Sequence, residues 1–277
     1  MTNLLSLEQV SKTFTRGGLL SRHRIDAVKN VSFSIEKNVP EIFAIIGESG
    51  SGKTTLARMI LGMQTVSGGR LLFDGKPVGG QTRLQRMAFM ANVQPIFQNP
   101  FEAFNPLKKV DYYLYLTAMR FGGADNQTSA EYAVDAALKQ VGLSLSEVRG
   151  RFPHEMSGGQ LQRVAIARAL VSKPKLIIAD EPVSMVDASL RMSIVNLFGE
   201  LRDRLGLSII YITHDLATAY YISDRLIIMQ KGEIVEAGNA RAVLSNPQHP
   251  YSRQLRDAVL LPEVTNSIPL NEQGETL

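Results

Sequence analysis

Apolar and polar residues alternate along 4–14 and again along 26–35, and both stretches are rich in Val, Ile and Phe. A period of two turns every second side chain to one face, so these stretches predict two half-buried antiparallel strands. Between them the Gly- and Arg-bearing residues Arg16 to Arg24 predict an exposed loop. The pattern then changes. Ile42–Ile46 is apolar without interruption, which predicts a strand covered on both faces, as in a parallel sheet. A glycine-rich loop follows, and Lys53–Gly62 reads as a helix that Gly62 ends. Residues 69–73 predict another strand, closed by the turn residues Asp74 and Gly75.

From about 101 to 172 the spacing is helical, with segments at 108–121, 128–141 and 158–172 and no strand pattern. This predicts a helical subdomain inserted into an α/β core. The core resumes with a strand at 175–180, a helix at 188–205, a strand at 207–213, a helix from about 215, and strands at 225–230 and 233–237. Such alternation implies a mostly parallel sheet with helices on its faces. Two short helices are expected over about 240–261, and the acidic, Pro- and Asn-containing stretch 262–277 predicts a mobile tail. The expected fold class is therefore α/β, with an N-terminal antiparallel β-subdomain beside the parallel core, and one domain over 1–261.

Composition narrows the function classes. The 277 residues are 44% apolar and 20% charged, ordinary values for a globular protein, with a formal charge of +4. A pI near 9.3 is too mild a bias to argue for nucleic acid or anionic lipid. No apolar run approaches the ~18 residues of a membrane span, and the N-terminal residues lack the pattern of a signal peptide. With no cysteine, disulfides and thiolate-held metals or clusters are excluded. The expectation is a cytoplasmic chain; work at a membrane would need other polypeptides to do the spanning.

Three motifs and a single histidine carry chemistry. Gly47-Glu-Ser-Gly-Ser-Gly-Lys-Thr54 fits the phosphate-loop pattern and sits between a predicted strand and helix, the context that gives the match weight. Successive backbone N–H groups in such a turn aim at one anion. Lys53 is placed for the β- and γ-phosphates and the Thr54 hydroxyl for Mg²⁺. Asp180 and Glu181 close the apolar run from Leu176. An Asp at that strand end is placed to hold Mg²⁺, and the adjacent Glu to polarise an attacking water as general base. His214 ends another apolar strand, where ligands bind in parallel sheets, and can meet the γ-phosphate or the water. Lastly, Ser157-Gly158-Gly159-Gln160 precedes a helical pattern with apolar residues at 161, 164, 166, 167 and 170. Ser157 reads as an N-cap, and a capped, glycine-opened helix start is also an anion site. With the chain's own loop already holding one phosphate group, ATP held by a partner chain is the natural anion for it.

The order of these motifs resembles the ATP-binding-cassette (ABC) ATPases over roughly residues 4–260. Within that family the chain is most similar to the ATPases of oligopeptide/dipeptide importers. The residues carrying this are GESGSGKTT (47–55), IFQNPFEAFNP (96–106), PHEMSGGQLQRVAIARAL (153–170), DEPVSMVDASLR (180–191) and NPQHPYSRQL (246–255). The resemblance implies a phosphate-loop NTPase core that binds ATP with Mg²⁺. Nucleotide contacts fall on Gly47, Glu48, Ser49, Gly50, Ser51, Gly52, Lys53, Thr54 and Thr55. Gln98 matches a glutamine that ligates Mg²⁺ and senses the γ-phosphate, on a segment (98–106) that meets the membrane subunit. Phe14 matches an aromatic stacked on adenine, although it also reads as a core Phe at a strand end. Ser184 to Asp187 match a loop that crosses the dimer interface. Two departures stand out: Met156 where Leu is usual, and Ser-Met-Val-Asp where Ser-Ala-Leu-Asp is usual.

The resemblance implies an ATP-hydrolysing motor subunit of an importer, for peptides or alternatively oligosaccharides, peripheral on the cytoplasmic face of the membrane. Its implied partners are a second ABC ATPase, a paralogue in preference to an identical chain, two permease subunits and, indirectly, an extracytoplasmic solute-binding protein. A soluble ABC ATPase acting on nucleic acid or ribosomes is the competing class. It usually carries a coiled-coil insertion or tandem cassettes, and this chain shows neither. An exporter ATPase is disfavoured by Phe101–Pro106 and His249–Leu255.

Overall fold

The computed structural model describes residues 2–16 and 23–260. Strands β1 (Asn3–Arg16) and β2 (His23–Glu36) form a long antiparallel pair. Both strands run further into the predicted loop than the alternation suggested, since Arg16, His23 and Arg24 are paired strand residues. After β3 (Ile42–Ile46) and α1 (Lys53–Ile60), β4 (Gly68–Phe73) lies on the other side of β1, and the two-residue β5 (Lys76–Pro77) completes a four-stranded sheet. Helix α1 is shorter than expected: Leu61 is its C-cap and Gly62 takes a positive φ in the turn beyond.

Helix α2 (Arg83–Asn92) and strand β6 (Val93–Ile96) come next, and neither was foreseen. Then follow α3 (Val110–Phe121), α4 (Gln127–Gln140), the single turn α5 (Leu145–Val148) and α6 (Gly158–Leu170), with no strand between them. The alternating half is β7 (Leu176–Asp180), α7 (Ala188–Leu205), β8 (Ser208–Thr213), α8 (Leu216–Ile222), β9 (Arg225–Gln230), β10 (Glu233–Asn239), α9 (Ala240–Ser245) and α10 (Pro250–Leu260). The expected tail from 262 lies outside the described residues.

The second sheet has the order β10-β9-β3-β8-β7-β6, and all its pairs are parallel except β10 with β9. Its central strands alternate between two cores, as the pleat requires. Phe43 and Ile45, Ile210 and Ile212, and Leu176 and Ile178 face the core shared with α1 and the antiparallel sheet. Ile209 and Tyr211, with Ile177 and Ala179, face the core shared with α3, α4, α6 and α7. Ala44 and Ile46 meet Leu216, Val243 and Tyr251 in a third cluster beneath the C-terminal helices. Pro95 is tolerated in β6 because that strand is the sheet edge.

This register decides where chemistry falls. Ile46 pairs with Thr213, Asp180 with Ile212, and Ile96 with Ala179. The residues just beyond the carboxyl ends of β3, β6, β7 and β8 therefore emerge at one edge of the sheet.

Candidate functional site

Glycine is required in the loop after β3 by crowding. A Cβ on Gly47 would stand 2.3 Å from the Met229 carbonyl oxygen, and one on Gly52 2.3 Å from that of Ala27. The loop threads between β9 and β2 at backbone contact and opens α1 with Gly52 in the left-handed region, φ 105°. Helix α1 has no side-chain cap and no acidic residue in its first turn. By contrast, α2, α4, α6, α8 and α9 are all capped by side chains. The uncapped N–H groups and the positive helix end are left for an anion.

That anion site opens into a cavity of about 1030 Å³. Its lining includes Gly47, Glu48, Ser49, Gly50, Gly52, Lys53, Thr54 and Thr55 from the loop, and Gln98, Glu181 and His214 from the ends of the neighbouring strands. Lys53 is buried, and burial lowers its ammonium pKa while the charges of Glu181, Asp180 and Glu48 pull it back up. Its Nζ donates to the carbonyl oxygens of Gly47 (2.5 Å) and Glu48 (2.8 Å).

Glu181 sits where β7 turns away, in the left-handed region at φ 47°. This is an uncommon position for a non-glycine residue, and its surroundings hold it. Its N–H donates to the Ile212 carbonyl (2.9 Å), and the Ser184 hydroxyl donates to its carbonyl (3.0 Å). The side chain is clamped at both oxygens. Gln98 Nε2 donates to Oε2 at 3.0 Å, and His214 Nδ1 lies 3.1 Å from Oε1. A carboxylate so fixed at the mouth of an anion cavity can accept a proton from a water within hydrogen-bond reach. Beside it, burial pushes the Asp180 carboxyl up, a hydrogen bond from Thr54 pulls it down, and the Glu181 charge raises it again.

The other predicted residues are not part of the lining of this cavity. Ser51 is buried within the loop, and Phe14 is 39% exposed opposite Ile25, which does line the cavity. None of Ser157, Gly158, Gly159 and Gln160 lines it. They start α6 with Ser157 as a capping-box N-cap that accepts from the Gln160 N–H at 3.2 Å. Asp187 is the exposed N-cap of α7. Sequence reasoning missed Asp26, Lys29, Lys231 and Leu255, all of which line the cavity. Asp26 and Lys29 come from β2 and Lys231 from the β9–β10 turn, positions that no local motif marks, whereas Leu255 ends the 246–255 motif on α10.

A parallel sheet delivering a glycine loop, a lysine and a clamped carboxylate to one edge defines a phosphate-loop nucleotide site. Comparison with known proteins makes the class specific. The ABC transporter family matches residues 28–184. The oligopeptide transport ATP-binding protein OppF of Streptococcus pyogenes serotype M1 is 38% identical over 261 residues, 94% of this chain and 83% of the relative. The glutathione import ATP-binding protein GsiA of Salmonella paratyphi A is 40% identical over 246 residues, 88% of this chain and 39% of that longer protein. Among solved structures, the dimeric ATP-binding cassette MJ0796, in a post-hydrolysis state bound to ADP and Pi, superposes with a TM-score of 0.74 at 28% identity, covering 86% of this chain and 99% of that one. The chain belongs to the ABC transporter ATPase family: it is an ATP-binding, ATP-hydrolysing cassette.

Proposed function

We propose that this chain is the motor subunit of a peptide importer, driving uptake through separate membrane subunits. The observation that carries the catalytic half is the Glu181 carboxylate, clamped between Gln98 and His214 at the mouth of the phosphate-loop cavity. In this reading residues 47–55 bind the phosphates, Glu181 is the general base, and His214 and Gln98 orient it and the attacking water. Phe14 offers a ring for adenine. One of its faces carries the Lys12 ammonium, 5.2 Å from the centroid.

The donors around Asp180 fit Mg²⁺. Thr54 hydroxyl, Asp180 carboxylate and Gln98 amide oxygen are hard ligands, and a half-buried carboxylate whose pKa is pushed up is one that a cation would relieve. Bound there with ATP, the ion would neutralise charge on the phosphates.

Ser157–Gln160 and Asp187 lie off the chain's own cavity, so in this reading they serve a partner's nucleotide. The partner is a second ABC ATPase, a paralogue in preference to an identical chain, and the pair is peripheral on the cytoplasmic face of a membrane. No helix among the described residues is long and apolar enough to cross a membrane, so permeases must supply the path. A groove of about 510 Å³ lined by Leu61, Phe89, Met90, Phe97, Tyr113 and Leu116 runs beside Gln98 and suits an apolar element of a permease. The resemblance of 246–255 to peptide-type importers, together with relatives whose names specify oligopeptide and glutathione transport, supports a peptide cargo.

The test is affinity purification from detergent-solubilised membranes. Two permeases and a second ATPase should co-purify, and the associated binding protein should bind peptides. Recovery on ribosomes or DNA, without membrane proteins, refutes the importer reading and leaves the ATPase standing.

A further inference from the structure

The segment 246–255 is the one motif that the phosphate chemistry leaves without a task, and the fold turns it inward. Glu236 of β10 accepts hydrogen bonds from the backbone N–H groups of Gln248 (2.8 Å) and His249 (3.2 Å), which fixes the start of α10 to the sheet. The Tyr251 N–H donates to His249 Nδ1 at 3.2 Å. Tyr251 is 4% exposed, and its phenolic oxygen accepts the Glu48 N–H at 2.9 Å. One helical turn further, Leu255 lines the nucleotide cavity. The C-terminal helix thus reaches the ATP site at two points on one face.

Glu48 is in the entrance arm of the phosphate loop, and that arm has few anchors. Besides Tyr251, the side-chain bonds to its backbone come from Lys53, to the carbonyls of Gly47 and Glu48. A bound triphosphate draws on the same ammonium, which loosens those two bonds when ligand arrives. The tyrosine bond does not involve that ammonium. Burial also pushes the Tyr251 hydroxyl up, which keeps it a neutral partner.

We propose that Tyr251 is a positioning residue that holds the Gly47–Glu48 arm in its phosphate-binding shape, so that the C-terminal segment sets the cassette's affinity for ATP. The proposal rests on residues 47–54 holding the ATP phosphates.

The test is Tyr251→Phe in the full-length chain, which keeps the ring and removes the acceptor. The dissociation constant for ATP should rise about three- to tenfold, the worth of one hydrogen bond. Hydrogen exchange should accelerate in peptides containing Glu48 and stay unchanged in those covering β7. A generally loosened fold would instead raise exchange in both and lower the nucleotide-free melting temperature in step, and that result overturns the proposal. So does an unchanged dissociation constant with Glu48 still protected. Lys53→Ala distinguishes failure of the site from failure of the tyrosine's role. If it binds ATP like wild type, the phosphate-loop reading itself fails. If it loses ATP while Tyr251→Phe behaves as wild type, only the role of Tyr251 falls.

Discussion

Gly50 and Gly52 are two residues apart in one loop, both with positive φ, and substitution at each meets different surroundings. At Gly50 an added methyl finds nothing within 4 Å, so Gly50→Ala should cost only the left-handed backbone penalty, about 1–2 kcal/mol. At Gly52 the methyl meets the Ala27 oxygen at 2.3 Å, so Gly52→Ala must displace β2 or the loop, at a cost of at least about 3 kcal/mol and with loss of ATP binding. Denaturant midpoints and nucleotide titration of the two variants check the contrast; equal costs would mean that the close approach is not real. Glu181→Gln keeps the shape of the clamped side chain and removes its basicity. Phosphate release should fall about 10²–10⁴-fold while ATP still binds, and near-normal turnover would take the base role away from Glu181. Asp180 gives a signed pH prediction. Its pKa is raised above the ordinary 3.8, burial being the main cause, so the folded chain holds that proton more tightly than the unfolded one. Stability therefore falls as pH climbs from 3.8 through the raised native value, and at neutral pH the ionised group is a net burden. Asp180→Asn should raise the nucleotide-free melting temperature at neutral pH while abolishing Mg²⁺-dependent hydrolysis. The gain should shrink as the pH is lowered through the native pKa; thermal scans across pH show whether it does.

Between elements, Asp224 joins three pieces of the sheet's rim. Oδ2 accepts the Ile42 N–H at 2.8 Å where β3 begins, and the carboxylate meets Arg202 Nη1 of α7 at 3.0 and 3.1 Å. The exposed ion pair contributes little, so most of the loss in Asp224→Ala should come from the unpaired, buried Ile42 N–H: about 1–2 kcal/mol, read from the urea midpoint. A loss confined to low salt would assign the effect to the ion pair instead. This joint could not be read from the sequence, because a lone Asp between a helix and a strand has no pattern to announce its two partners. What could be read is instructive. Ile42–Ile46 and Leu207–Thr213 were recognisable because a strand buried on both faces is uniformly apolar, and β1 and β2 because one face of each is wet. Helix α2 and strand β6 escaped for the opposite reasons. Leu84 and Met90 of α2 point outward at 83% and 36% exposure, which blurs its stripe, and four residues with Pro95 among them carry no period. At the site, Glu181 and His214 sat at strand ends that the apolar runs already marked, and Lys53 sat in the glycine-loop pattern that opens α1. Asp26, Lys29 and Lys231 reach the cavity only through the packing of β2 and the β9–β10 turn against the phosphate loop, a long-range fact with no local trace.

For the whole molecule the decisive question is whose nucleotide the Ser157 helix start serves. Helix α6 presents a side-chain-capped N-terminus, and its first residues are absent from the lining of the cavity formed by the chain's own phosphate loop. Exposed Met185 in the loop before α7 stands close by: a Cβ on Gly158 would lie 3.5 Å from the Met185 carbonyl oxygen. Ser157–Gln160 and Ser184–Leu190 thus lie side by side on one face, with Met185 and Leu190 as exposed apolar residues. In the proposed closed pair that surface meets the partner's ATP, and ATP favours closure because only the closed state offers it both sets of contacts. Ser157→Arg separates a site made within one chain from a site made between two. An Arg there removes the cap and fills the space ahead of the α6 N-terminus, so ATP hydrolysis by the assembled ATPase pair should fall by about 100-fold or more. The isolated chain should bind ATP with unchanged affinity, because its own cavity does not include residue 157. Calorimetric titration of the monomer and phosphate release from the pair give the two readings. A monomer that loses ATP affinity would place Ser157 in the chain's own site and remove the case for a shared one, whereas an intact monomer with an inactive pair makes catalysis the property of two cassettes together.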